Sequence, residues 1–352
     1  MGRHMKFGLA GLGLFALALA LQMAAREITG FADWYARRVY PVLVGIIGRF
    51  FGIFPFSVVE IALYLLALWF VLYAAVVAIR FRRPGRLIGW TVFLAGEMLF
   101  VYTVNCGINY HAVSFSEYAG LTVETYTKEE LVNLCEYLTE QVNETVTEER
   151  YRESAASQRA WRQEGVRAMQ AAAEEFPALA GFYPQPKELA VSWILSVQQL
   201  CGVYSPFTIE ANFNGEMPNY NIPHTICHEL SHLRGFMRED EANFIGYLAC
   251  ILSESQAFRY SGYLTGWVYA GNALARVDME AYRELAGQLC AQAQSDLDEN
   301  NRFWAHYDGK AAEVSTQVND AYLKINRQTD GVQSYGRMVD LMLEYYRNDL
   351  QE

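Results

Sequence analysis

Three long apolar stretches occupy the N-terminal third of the chain, and shorter amphipathic segments fill the rest. Phe7 to Ala24 carries no charge and is just long enough to cross a bilayer. Ser57 to Ile79 is broken only by Glu60 near one end, and Leu87 to Cys106 holds Glu97 in its interior. These predict membrane helices at about 7–24, 57–79 and 87–106. A fourth run, Val39 to Pro55, contains Pro41, Gly45, Gly48, Arg49 and Gly52, and reads as interfacial or re-entrant. Beyond residue 108 the period becomes helical. Thr127 and Glu130 have capping-box spacing, followed by Leu131, Leu134, Cys135 and Leu138 on one face. Further helices are expected over 155–175, 192–201, 244–255, 279–300 and 335–346. Phe207 to Phe213 alternates and reads as a strand, whose edge could pair with an extended peptide or could merely support its neighbours. The predicted architecture is mainly α. A transmembrane region (1–108) precedes an α-rich domain (109–352) with a small β element.

Charge sets an orientation. Arg80, Arg82, Arg83 and Arg86 form the densest basic cluster, and Arg3 and Lys6 flank the first stretch. The bias of Lys and Arg towards cytoplasmic loops puts both on the inner side and residues 109–352 outside, as part of a multi-pass protein of the cell membrane. Arg37 and Arg38 then fall outside, against the rule. The first stretch also has the basic start and apolar middle of a signal peptide. The first 110 residues hold 10 Lys and Arg and 4 Asp and Glu, against 28 and 39 in the whole chain. The remaining 18 basic and 35 acidic residues give that part a net charge of −17, which repels nucleic acid. The bilayer and a protein or peptide substrate are the expected partners. Glu97 is a carboxyl in mid-span, either functional or a protonated or helix-paired group with a packing role. The six cysteines include no C-x-x-C, and Cys135, Cys227, Cys250 and Cys290 lie among apolar residues as buried thiols do.

The candidate chemistry lies at residues 228–232, His-Glu-Leu-Ser-His. On a helix, His228 and His232 share a face and can direct two imidazoles at one ion, and such nitrogens suit zinc. Glu229 can take a proton from a water that the ion acidifies. Pro223 suits the first turn of this helix, and Ile222, Ile226, Leu230 and Leu233 supply its apolar positions. A third ligand is needed. Continued straight, the helix would carry Glu239 about 10 Å further along the axis. A break at Gly235, with a second helix starting near Arg238, would fold Glu239 or Glu241 back to the ion. Arg238 occupies the position where metzincins place their third histidine, and it cannot ligate.

The segment from Pro223 to Phe244, with H-E-L-x-H, a glycine and then E-D-E-A-N-F, resembles a bacterial membrane-protein family known as domain of unknown function 3810. The likeness continues in Pro206-Phe207-Thr208, Glu210-Ala211-Asn212, and Ser334-Tyr335-Gly336-Arg337 with Val339-Asp340-Leu341. The Glu-Ala-Asn element also resembles gluzincin-type peptidases, in which the glutamate before Ala-Asn is the third ligand. The resemblance therefore implies a zincin-like catalytic domain with zinc on His228, His232 and Glu241. It also makes Tyr335 and Arg337 candidate oxyanion donors, or parts of a packed helix start. The expected activity is that of a membrane-anchored zinc metallopeptidase with Glu229 as general base. The alternatives are a zinc hydrolase or sensor acting on a cell-envelope component, and a non-enzymatic membrane scaffold.

Overall fold

The computed structural model describes residues 3–80, 84–122, 126–146, 155–326, 328 and 337–347. The chain divides into two units. Residues 1–113 and Ser205–Glu210 form the first, and residues 114–204 with 211–352 form the second. The short segment 205–210, expected within the α-rich domain, thus belongs with the N-terminal helices.

In the first unit, α1 (Arg3–Glu27), α2 (Phe31–Arg38), α3 (Val58–Arg80) and α4 (Pro84–Tyr102) are the main helices. Among the described residues, three helices are long and apolar enough to cross a membrane, over Lys6–Glu27, Val58–Val76 and Ile88–His111. Residues Tyr40–Gly52 are helical throughout, with a π-helical turn at Val44–Gly48 that absorbs the extra backbone of the glycine-rich run. α1 and α4 cross closely because both present glycine at the crossing. A side chain on Gly11 would meet the Phe93 backbone, and one on Gly96 would meet Gly11. The start of α3 is capped from a distance, since the amides of Val58 and Val59 donate to the Glu210 carboxylate at 3.1 and 2.9 Å. Residues 81–83 of the basic loop lie outside the described residues.

The second unit is mostly helical, with α5 (Lys128–Thr145), α6 (Ala155–Glu175), α7 (Asn221–Arg234), α8 (Glu239–Ile251), α9 (Gln256–Val277), α10 (Met279–Gln288), α11 (Ala291–His306), α12 (Lys310–Ile325) and α13 (Met338–Tyr345). α5 begins with the expected capping box, in which Thr127 and Glu130 exchange hydrogen bonds. Two expected helices differ. The segment 192–201 makes only the turn Trp193–Ser196, and 279–300 breaks at Leu289–Cys290 into α10 and α11. α9 carries Gly262, Gly266 and Gly271, which weaken its helical signal. Packing needs two of them. A side chain at Gly262 would strike Cys250, and one at Gly266 would strike Tyr247.

The sheet contains β1 (Lys187–Glu188), β2 (Gly202–Ser205) and β3 (Glu210–Phe213) in the order β1-β3-β2. β1 runs parallel to β3, with Lys187 opposite Asn212 and Glu188 opposite Phe213. The expected strand at 207–213 is shorter because Pro206–Ile209 forms a turn, with Ile209 at φ 51°. β3 is also central and buried along its whole length, so it offers no free edge. The edge next to it is β2.

Candidate metal centre

The HExxH helix is α7, and its burial follows from its sequence. Ile222, Ile226, Leu230 and Leu233 are all fully buried, which aims the intervening polar residues to the side. The helix ends at Gly235 with φ 115°. There the Gly235 amide donates to the His232 carbonyl and the Phe236 amide to the Ser231 carbonyl, a Schellman closure that only a residue tolerating positive φ makes cheaply. Four residues later α8 starts, with Glu239, Asp240 and Glu241 in its first turn, where carboxylates favour the helix dipole.

This reversal brings three side chains together. His228 Nε2 and His232 Nε2 are 3.1 Å apart. Glu239 Oε2 lies 3.3 Å from His228 Nε2, and its Oε1 lies 3.6 Å from His232 Nε2. Among the described residues this is the grouping of ligand-type side chains that could hold an ion. Donors at about 2.0–2.1 Å around a tetrahedral ion stand about 3.3 Å from one another, so these spacings fit a cation of that size. His232 Nδ1 lies 2.9 Å from the Phe236 carbonyl, which fixes its ring and leaves Nε2 directed at the cluster.

Glu241 is turned away from the histidines. Its Oε1 accepts from the Phe115 amide at 3.0 Å and from Arg238 Nη1 at 3.4 Å. Residues two apart on a helix point about 200° apart, so only one of the two glutamates can face α7, and Glu239 takes that place. The structure therefore groups Glu239, and not the expected Glu241, with the two histidines. Arg337 donates from Nε to Asp240 Oδ2 at 3.1 Å, so it engages the first turn of α8. Tyr335 lies outside the described residues.

Burial and charge act together at the site. Burial opposes charge on His232, but Glu239 overcomes it and raises the imidazole to about 9. Glu239, which burial alone would raise, is pulled well below the usual carboxylate range by His232 and His228. Each partner thus stabilises the charged form of the other. Glu229 is 4% exposed, and its Oε2 is buried with no hydrogen-bond partner among the described residues. Burial lifts its carboxyl to about 7 even though His228 and His232 pull it down.

Two further neighbours border the site. Gly202 on β2 packs against Glu229. An added Cβ there would lie 2.5 Å from Glu229 Oε1 and 2.8 Å from the Asn212 carbonyl oxygen. Since the carbonyl belongs to a central strand, Glu229 would have to move. Gly202→Ala is expected to cost about 1–3 kcal/mol in thermal or denaturant unfolding. It should also depress any Glu229-dependent turnover while leaving bound metal unchanged, and a variant with wild-type stability and turnover would refute this packing.

The second neighbour is His224, one turn before His228. Its Nε2 lies 3.1 Å from the Asn243 carbonyl and its backbone amide donates to Ser261 Oγ at 3.1 Å, linking α7 to α8 and α9. Burial, with His228 nearby, lowers its imidazole to about 3. Below about pH 6.5 the unfolded chain binds a proton that folded His224 refuses, so stability is lost as pH falls from there towards 3. His224→Gln removes that titration. The stability difference between wild type and variant should shift by about 2 kcal/mol against wild type between pH 7.5 and 5. A difference independent of pH would show that His224 is not held neutral.

No curated protein and no solved structure is significantly similar to the chain, so the likeness to gluzincin peptidases rests on the motif alone. A family model does match, and it extends from residue 35 to residue 343, across both units. The chain belongs to the family described as protein of unknown function DUF3810.

Proposed function

We propose that this protein is a membrane-anchored zinc-dependent peptidase, with His228, His232 and Glu239 as ligands and Glu229 as general base. One observation carries the reading: two imidazoles and a carboxylate converge at metal-ligand spacing beside a buried carboxylate with an unpaired oxygen. When bound, zinc supplies Lewis acidity, acidifying water and polarising a carbonyl. The chain's own part is proton transfer. Glu229 takes the proton of the attacking water and returns it to the leaving amine, which its raised pKa suits it to do.

A peptide substrate is favoured by the sheet. β2 is an edge strand, and its Gly202 lies against Glu229. An extended peptide hydrogen-bonded along that edge would run beside the base. The cluster of Arg80, Arg82, Arg83 and Arg86 favours a site on the outer side of the membrane.

Elemental analysis of the purified full chain tests the metal. Wild type and Glu241→Gln are expected to hold about one zinc per chain, and Glu239→Gln to lose it. Retention by Glu239→Gln with loss in Glu241→Gln would reverse the ligand assignment. No metal in any preparation supplied with zinc would end the hydrolase reading.

A further inference from the structure

The helical run Tyr40–Gly52 has two apolar sides, and only one of them is packed. Tyr40, Val44 and Gly48 are buried. Val42, Ile46 and Phe50, with Ile53 just beyond, are 56–75% exposed. Each row advances about four residues at a step, so each follows one face of the helix. Trp34 before the run and Phe56 after it are exposed as well. So many exposed apolar side chains in one short stretch mark a surface that meets something other than water.

Position identifies what it meets. The run lies between two apolar helices, the first ending at Glu27 and the second starting at Val58. At its front end, α2 is tied to the last turns of the third. Tyr35 Oη donates to the Val104 carbonyl at 2.8 Å, and the Val113 amide donates to Asp33 Oδ1 at 2.6 Å. Tyr40 follows the end of α2 by two residues, and Gly52 precedes Val58 by six. The segment 205–210 reaches both ends. Asn105 Nδ2 donates to the Pro206 carbonyl at 2.7 Å, and the Val58 and Val59 amides donate to Glu210. The end of the third apolar helix and the start of the second therefore lie at one side of the unit, and both ends of the run are held there. Its 13 residues reach about 20 Å, short of a hydrocarbon core about 30 Å thick. The run cannot cross the core, and with both ends at one level it lies along the surface.

We infer that Tyr40–Gly52 is a membrane-surface helix, and that acyl chains of the leaflet in which α1 ends cover its face of Val42, Ile46, Phe50 and Ile53. This rests on the three apolar helices lying in a bilayer and is independent of the peptidase reading. At that level the molecules around the unit are lipids, and the composition suits them. Between Ile28 and Phe56 the one acid is Asp33, against Arg37, Arg38 and Arg49. Arg38 and Arg49 are exposed near the two ends of the helix, where long basic side chains reach headgroup phosphates. The Phe50 ring lies 5.1 and 6.1 Å from those of Phe51 and Phe54, centroid to centroid, so aromatic rings gather at the rear end while Trp34 flanks the front. Aromatic and basic residues bordering an apolar face are the composition of helices that lie in the interface. Arg38, which runs against the orientation rule, then sits beside phosphate.

The test uses the full chain in vesicles of phosphatidylcholine and phosphatidylglycerol. A ketone-bearing residue carrying a nitroxide replaces Val42, Ile46, Phe50 or Ile53 in turn, which leaves the six cysteines untouched. Exposed Asp308 is labelled as the control for water. Collision with oxygen reports lipid, and collision with a nickel chelate reports water. All four sites are expected to meet mainly oxygen at one common depth, about 5–10 Å below the headgroups, and residue 308 mainly nickel. The replaced side chains are exposed, so the fold should persist, which unchanged elution in detergent checks. Mainly nickel at the four sites would put the face in water. Few collisions of either kind would mean that a protein covers it, a second copy included. A depth increasing steadily from residue 42 to residue 53 would make the segment re-entrant. Each of these results overturns the inference, as does release of the chain from membranes by alkaline carbonate without detergent.

Discussion

Glu229→Gln is expected to abolish peptide hydrolysis, with a loss of about 10²–10⁴-fold in kcat/KM on a quenched-fluorescent peptide library, and to leave the metal in place. The substitution keeps the shape of the side chain and its fit against Gly202. It removes only the ability to take up a proton. Glu229 is not among the three clustered ligands, so metal content should not fall. The combination of full metal and lost turnover is diagnostic. Loss of both would mean that Glu229 helps to build the site. Unchanged turnover would assign the base elsewhere, and a wild-type protein that carries zinc yet cleaves no peptide would favour a hydrolase of another envelope component.

Phe115→Ala should produce the largest loss of stability. Phe115 is fully buried, with ring centroids 5.5, 5.4 and 6.2 Å from those of Phe176, Phe236 and Phe244. These come from the end of α6, the link between α7 and α8, and α8 itself. Removing the ring opens a cavity where the two site helices are joined, at an expected cost of about 3–5 kcal/mol. In a unit of this size that lowers the melting temperature by roughly 10 °C. The backbone amide that donates to Glu241 remains, so the effect belongs to the ring. Glu241→Gln is the companion measurement, because its carbonyl can still accept from Phe115 and should cost much less. A loss below about 1 kcal/mol in Phe115→Ala would mean that the aromatic cluster does not form.

Local chemistry made much of this site readable. The i, i+4 histidines need only helical geometry, and the apolar spacing of Ile222, Ile226, Leu230 and Leu233 supplies that helix. Gly235 carries its own signal, because glycine at the end of a periodic run favours a left-handed cap. The choice between Glu239 and Glu241 was not readable in the same way. Both follow the break, and both sit in the first turn of α8. Which one faces α7 depends on the rotation of α8 about its axis. That rotation is fixed by contacts far away in sequence, such as Phe115 with Glu241 and His224 with Asn243.

The same division holds across the molecule. Composition and periodicity alone determine that the chain is mainly helical, that three helices are apolar enough to cross a membrane, and that α5 starts at its capping box, because each depends on residues within one or two turns. Only the tertiary structure decides that β3 is central and not an edge, that glycine-rich α9 is a helix, and that Gly202 lies against Glu229. These depend on close approach between segments distant along the chain, and a short-range pattern of apolar and polar residues carries no information about which backbone will arrive at a given side chain.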